Sequence, residues 1–84
     1  MARVTIAPDV VRQLHALPNP IKVRLLHMVE RLQHWPAVSG AKPLRGDLAG
    51  RYRLCTGDYR MQFRVRGDQL VIEKVGHREG FHDE

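Results

Sequence analysis

The chain has 84 residues, of which 43% are hydrophobic and 27% charged, with a formal net charge of +5 at pH 7. That length makes one domain, residues 1–84, with a small core, and the hydrophobic share is too high for a disordered chain. No apolar run approaches the roughly 18 residues of a membrane span, no secretory signal is visible after Met1-Ala2-Arg3, and the single Cys55 allows neither an internal disulfide nor a cysteine zinc cage. A reducing, cytoplasmic setting is expected.

In chain order, Arg3-Val4-Thr5-Ile6 predicts a short strand with Val4 and Ile6 on one face. Pro8 suits the first turn of a helix, where its missing N–H costs nothing. Val10 or Val11, Leu14 and Leu17 then recur at helical spacing, and Pro18 ends the run. Asn19 is a good N-cap and Pro20 a good first helical residue. Ile21, Leu25, Val29 and Leu32 continue at helical spacing, so a second helix is expected to reach about Trp35. The two helices should form a hairpin over one face of a sheet. Residues 36 to 50 are rich in Gly and Pro and read as a loop, long for so small a domain.

Beyond the loop the period changes to two. Tyr59, Met61, Phe63 and Val65 alternate without a fault with Arg60, Gln62, Arg64 and Arg66. Such purity means a half-buried strand, with a core on one side and a field of arginines on the other. Arg51 to Cys55 and Leu70 to Arg78 flank it as two more strands. A tight turn at Thr56-Gly57 would pair Leu54 with Tyr59, Arg53 with Arg60 and Tyr52 with Met61. Two arginines directly opposite each other destabilise a sheet by up to about 1 kcal/mol, a cost a sheet avoids unless the pair binds an anion. A second turn at Gly67-Asp68 would pair Val65 with Leu70, Phe63 with Ile72 and Gln62 with Glu73. Glu73 then lies near Arg60 and Arg64 and can neutralise them. Parity puts His77 on the arginine face; Arg78 joins it only if Gly76 breaks the alternation. The fold class is α+β, a small antiparallel-rich sheet with an N-terminal helical hairpin on one face, in the order β-α-α-β-β-β.

Charge gathers where this sheet forms. From Lys42 to Arg66 there are seven Lys/Arg against Asp47 and Asp58, the equivalent of the whole net charge. Such focusing suits a polyanion or an acidic protein, and it also suits a merely solvated surface. His15, His27 and His34 lie on the helices at spacings that do not converge on a metal. Trp35 reads as a packing anchor, Cys55 as an inert thiol beside a turn, and Asp47 and Asp58 as turn residues.

The segments Lys42-Pro43-Leu44-Arg45-Gly46, Tyr52-Arg53-Leu54, Gly57-Asp58-Tyr59-Arg60 and Val75-Gly76-His77-Arg78 together resemble the RelE/ParE superfamily of bacterial type II toxins. The resemblance covers nearly the whole chain, including its element order. It implies a small toxin neutralised by an antitoxin. RelE-like members cut mRNA in the ribosomal A site; ParE-like members share the fold and poison DNA gyrase. Fold alone does not choose between them.

Metal-independent RNA cleavage needs a base for the 2′-OH, cations for the phosphorane and an acid for the departing 5′ oxygen. By motif position the resemblance implies that Arg53 is a catalytic basic residue, Arg60 contacts the scissile phosphate, and Arg78 is a second phosphate-stabilising arginine. Lys42, Arg45, Arg51, Arg64 and Arg66 are the implied RNA- or ribosome-contacting residues. No metal or other cofactor is implied. The chain departs from the family in two places. A second basic residue common two positions after the first is Cys55, and Phe81-His82 stands near the C-terminal tyrosine of many members. Arginine keeps its proton near neutral pH, so His82 or His77 is the expected proton carrier. The implied partners are a cognate antitoxin with an acidic contact segment, and mRNA on the ribosome. The alternatives are a gyrase inhibitor without nuclease chemistry, or a non-toxic relative that only binds an antitoxin.

Overall fold

The computed structural model describes residues 1–81. Its elements run β1 (Arg3–Ile6), α1 (Pro8–His15), α2 (Asn19–Leu32), β2 (Lys42–Pro43), β3 (Arg51–Thr56), β4 (Tyr59–Arg66) and β5 (Gln69–His77), with 3-10 turns at Gly46–Leu48 and Arg78–Gly80. The strands form one sheet in the order β1-β5-β4-β3-β2. β2, β3, β4 and β5 pair antiparallel, and β1 lies parallel to β5. A parallel neighbour needs a crossover, and the two helices supply it. Among the described residues no helix is long and apolar enough to cross a membrane.

Both helices cover the same face of the sheet. Val10 and Leu14 of α1, and Leu25, Met28 and Leu32 of α2, are buried against Leu54, Met61, Phe63, Leu70, Ile72 and Val75. The α+β architecture expected from the residues is therefore the one observed. Trp35 is a packing anchor, as expected: its ring meets Tyr52 and Phe63 edge-on at 4.7 and 5.3 Å. His15, His27 and His34 are exposed.

Three boundaries differ from expectation. α2 stops at Leu32 and a series of turns carries the chain through Trp35. Helical spacing alone cannot tell a last helical turn from a tightening coil. The loop at 36 to 50 contains the two-residue strand β2, so the sheet has five strands. Pro43 lacks an amide donor and suits that short outer edge.

The β3–β4 turn is Gly57-Asp58, one residue later than expected. The pairs are Thr56 with Tyr59, Cys55 with Arg60, Leu54 with Met61, Arg53 with Gln62 and Arg51 with Arg64. Gly57 has φ +58°, at the first central position that a type II′ turn gives to glycine. Moving a two-residue turn by one position moves the pairing by two, so face parity survives and Arg53 no longer opposes Arg60. The second turn, Gly67-Asp68, lies where expected and pairs Val65 with Leu70 and Phe63 with Ile72.

Candidate functional site

The face turned away from the helices is the basic one. Alternation sends Arg51, Arg53 and Cys55 of β3 there, with Arg60, Gln62, Arg64 and Arg66 of β4. A β-bulge decides what β5 adds. Phe63 pairs with Ile72 while Gln62 pairs with Lys74, so Glu73 is the extra residue. An extra residue resets the parity of everything beyond it. Val75 thus joins the core, and Lys74 and Gly76 face the arginines. The sequence carried a signal for this: Leu70, Ile72 and Val75 cannot all face inward on an unbroken strand. Lys74 is the residue on this face that plain alternation missed.

The bulge corrects two expectations for the C-terminal end. His77 pairs with Tyr59, on the helix side of the sheet, and their rings meet edge-on at 5.4 Å. Its Nδ1 accepts a 3.2 Å hydrogen bond from the Glu79 amide, so the imidazole caps the final 3-10 turn. His77 is therefore not brought to the arginine face. Arg78 needs no break at Gly76. Its amide donates to the Asp58 carbonyl at 2.7 Å, and its Nε lies 3.7 Å from Asp58 Oδ1. These contacts hold Arg78 at the β3–β4 turn. His82 lies outside the described residues.

Across the sheet the basic face forms rows. At the end nearest Arg78, Cys55, Arg60 and Gly76 stand side by side; next come Lys42, Arg53, Gln62 and Lys74; then Arg51 and Arg64; and last Arg66 beside Gln69. Glu73 neutralises the third row. Its Oε1 accepts from Arg51 Nε at 2.7 Å, and its Oε2 lies 3.2 Å from Arg64 Nε. The Arg64 contact is off the hydrogen-bond direction and acts as an ion pair. Gln62, 8% exposed, donates to Glu73 at 3.5 Å. Glu73 thus meets Arg64 as expected, but its other guanidinium is Arg51, not Arg60. Among the described residues Arg60 has no carboxylate partner.

The first row is covered by Phe81, which follows the final 3-10 turn. Phe81 is 6% exposed yet stands apart from the main core cluster. A Cβ on Gly76 would come 3.6 Å from Phe81 Cδ1, so the ring lies over Gly76 on the arginine face. Lys74 Nζ sits 4.4 Å from the centre of that ring. Lys42, Arg45 and Arg66 are exposed, and Arg53 is half-buried between Lys42 and Gln62. The site is a basic shelf, densest around Arg53, Arg60 and Lys74, with Arg78 at its rim. Such a shelf can hold phosphate oxygens.

No protein-family model matches the chain. Individual relatives do. A chain of the RelBE2 toxin–antitoxin complex from Mycobacterium tuberculosis is 31% identical, superposes with a TM-score of 0.79, and is matched over 92% of this chain and 91% of its own. The chain belongs to the RelE family of toxins. The RelE–RelB complex from Pyrococcus horikoshii is 29% identical over 95% of this chain and 98% of that one, with a TM-score of 0.75. Toxin RelE3 of Methanocaldococcus jannaschii is 27% identical over 96% of both chains. The RelE fold thus accounts for the helical hairpin and the mixed sheet.

Proposed function

We propose that this RelE-family toxin is a metal-independent, ribosome-dependent mRNA endonuclease acting in the cytoplasm. The observation that carries the reading is Arg60. It stands half-buried on the basic face, between Cys55 and Gly76, with no carboxylate partner among the described residues. An arginine left in that state on a face where its neighbours Arg51 and Arg64 are neutralised is suited to an external phosphate. Arg60 and Arg53 hold the non-bridging oxygens of the scissile phosphate, and the phosphorane is stabilised more strongly than the ground state because its charge is greater. Arg78 adds positive charge from the rim. His82 carries the proton, since His77 is occupied as a cap on the other side of the sheet. The packing of Phe81 over Gly76, one residue before His82, supports that assignment.

The partner of the toxin is an antitoxin, as in the RelBE2 and RelE–RelB complexes. The net charge of +5 favours an acidic contact segment on it, and salt should weaken the pair.

The deciding experiment is primer extension on a reporter mRNA in a purified translation system, with wild type and Arg60→Ala compared. The expected result is cuts at defined codon positions that need ribosomes and vanish in the variant. Intact mRNA with both proteins, together with inhibited DNA supercoiling, would transfer the toxin to the gyrase class.

A further inference from the structure

The bulge at Glu73 does more than neutralise the third row. It turns Lys74, which unbroken alternation would have buried, onto the arginine face opposite Gln62. The side chain then leaves its own row. Phe81 covers Gly76, which belongs to the neighbouring row, and Lys74 Nζ lies 4.4 Å from the centre of the Phe81 ring. The ammonium therefore rests against the ring that covers Gly76, and Gly76 is the β5 partner of Arg60. On its other side Arg60 faces Cys55, which brings no charge.

We propose that Lys74 is a further cation of the Arg60 site, one that contacts the RNA phosphate directly. This rests on the reading that the basic face holds an RNA strand. The position is chemically apt. A lysine ammonium is a compact charge with three donors, able to share a phosphate with a guanidinium. The ring beneath it attracts the cation and restricts the flexible stem. Less side-chain entropy is then lost when the phosphate arrives. The basic residue that RelE-like toxins commonly carry two positions after Arg53 is replaced here by Cys55. Lys74 supplies positive charge from the opposite flank of the same arginine.

The test measures binding of an uncleavable 2′-O-methyl trinucleotide to the full chain by titration calorimetry at several salt concentrations. Lys74→Gln keeps most of the stem and removes the charge. It is expected to weaken binding about tenfold, the usual scale for one charge-assisted contact. The slope of log K against log salt should fall by about 0.7, one phosphate contact on a single strand. Lys74→Arg should stay within about twofold of wild type. Cys55→Lys in the Lys74→Gln background should recover most of the lost affinity. Unchanged thermal melting in all variants shows that the fold is not what was altered. Three results overturn the proposal: Lys74→Gln binding as tightly as wild type, Lys74→Arg as weak as Lys74→Gln, or no binding by wild type. Binding to an uncleavable strand is independent of nuclease activity. A negative result in the translation assay and a negative result here therefore point to different failures.

Discussion

Glu73 accepts a 2.7 Å hydrogen bond from Arg51 Nε, and through its second oxygen it also holds Arg64. Arg51 and Arg64 are direct cross-strand partners. Without the carboxylate, two guanidinium groups would face each other on a crowded surface. Glu73 therefore stabilises the Arg51–Arg64 row of a repulsive face and makes no ion pair with Arg60. The Arg51 and Glu73 side chains are only 21% and 23% exposed, so solvent screens their pairing less than at an open surface. Glu73→Gln is expected to cost about 1–2 kcal/mol, or roughly 4–16 °C in melting temperature for a domain of this size. The same change should raise non-specific RNA affinity and steepen its salt dependence, because Arg51 and Arg64 become available. Lower stability with tighter, more salt-sensitive RNA binding is the signature to look for by melting and titration. Unchanged stability would mean that Glu73 is not what reconciles the two arginines.

Arg60 and Arg66 lie on the same strand and the same face, so they form a controlled pair. Arg66 is exposed opposite Gln69, at the far end from Arg78. Removing Arg60 should lower cleavage by about 10²–10³-fold, the scale of one lost transition-state donor. Stability should change by less than about 0.5 kcal/mol, since Arg60 has no ion pair among the described residues. Arg66→Ala should change cleavage far less. Rates under single-turnover conditions in a translation system would separate the two. Equal losses from both would point to diffuse electrostatic attraction in place of a phosphate site at Arg60.

Much of this was legible in the residues. The strand at Tyr59–Arg66 was plain because alternation there has no fault, and the arginine face followed from it. The helices were legible from their apolar spacing and prolines. What the pattern hid was a matter of one residue at two places. At Thr56-Gly57-Asp58 either pair can form a tight turn, and only the positive φ of Gly57 at the first loop position chooses. At Glu73 a bulge inserts a residue that binary alternation has no means to represent. Both slips fell on the site: one paired Arg53 with Arg60, and the other exchanged Lys74 for His77. The parallel pairing of β1 with β5 was invisible for another reason. It depends on where the helical crossover returns the chain, which no local pattern encodes.

The two Gly-Asp turns should respond differently to the same substitution. Gly57 and Gly67 have nearly equal φ, +58° and +63°. A Cβ at Gly67 meets nothing within 4 Å, so Gly67→Ala carries only the backbone cost, about 1 kcal/mol. A Cβ at Gly57 would collide with the Arg24 guanidinium from α2. Gly57→Ala is therefore expected to cost more, about 1–2 kcal/mol, and the Gly57→Ala, Arg24→Ala double variant should return to the Gly67→Ala level. Denaturant melts of the three proteins test this. Equal costs for both glycines would show that Arg24 moves aside freely.

Gly76 is not required by its backbone angle; what it provides is room beneath Phe81. An alanine Cβ would rest at ordinary contact distance, 3.6 Å from Phe81 Cδ1, so Gly76→Ala should fold and melt like wild type. Gly76→Leu cannot share that space. Its side chain must displace the ring, and with the ring goes the seat of the Lys74 ammonium. The core is untouched because Gly76 faces away from it, opposite Arg60. The expected outcome is a stable protein with impaired cleavage. A fluorine label on Phe81 should report the ring's move from a buried to an exposed position. Full cleavage by Gly76→Leu, with the ring displaced, would mean that Lys74 held on the ring does not act at Arg60. Lost cleavage with the ring still buried would instead locate the defect at Arg60 itself, crowded by the new side chain.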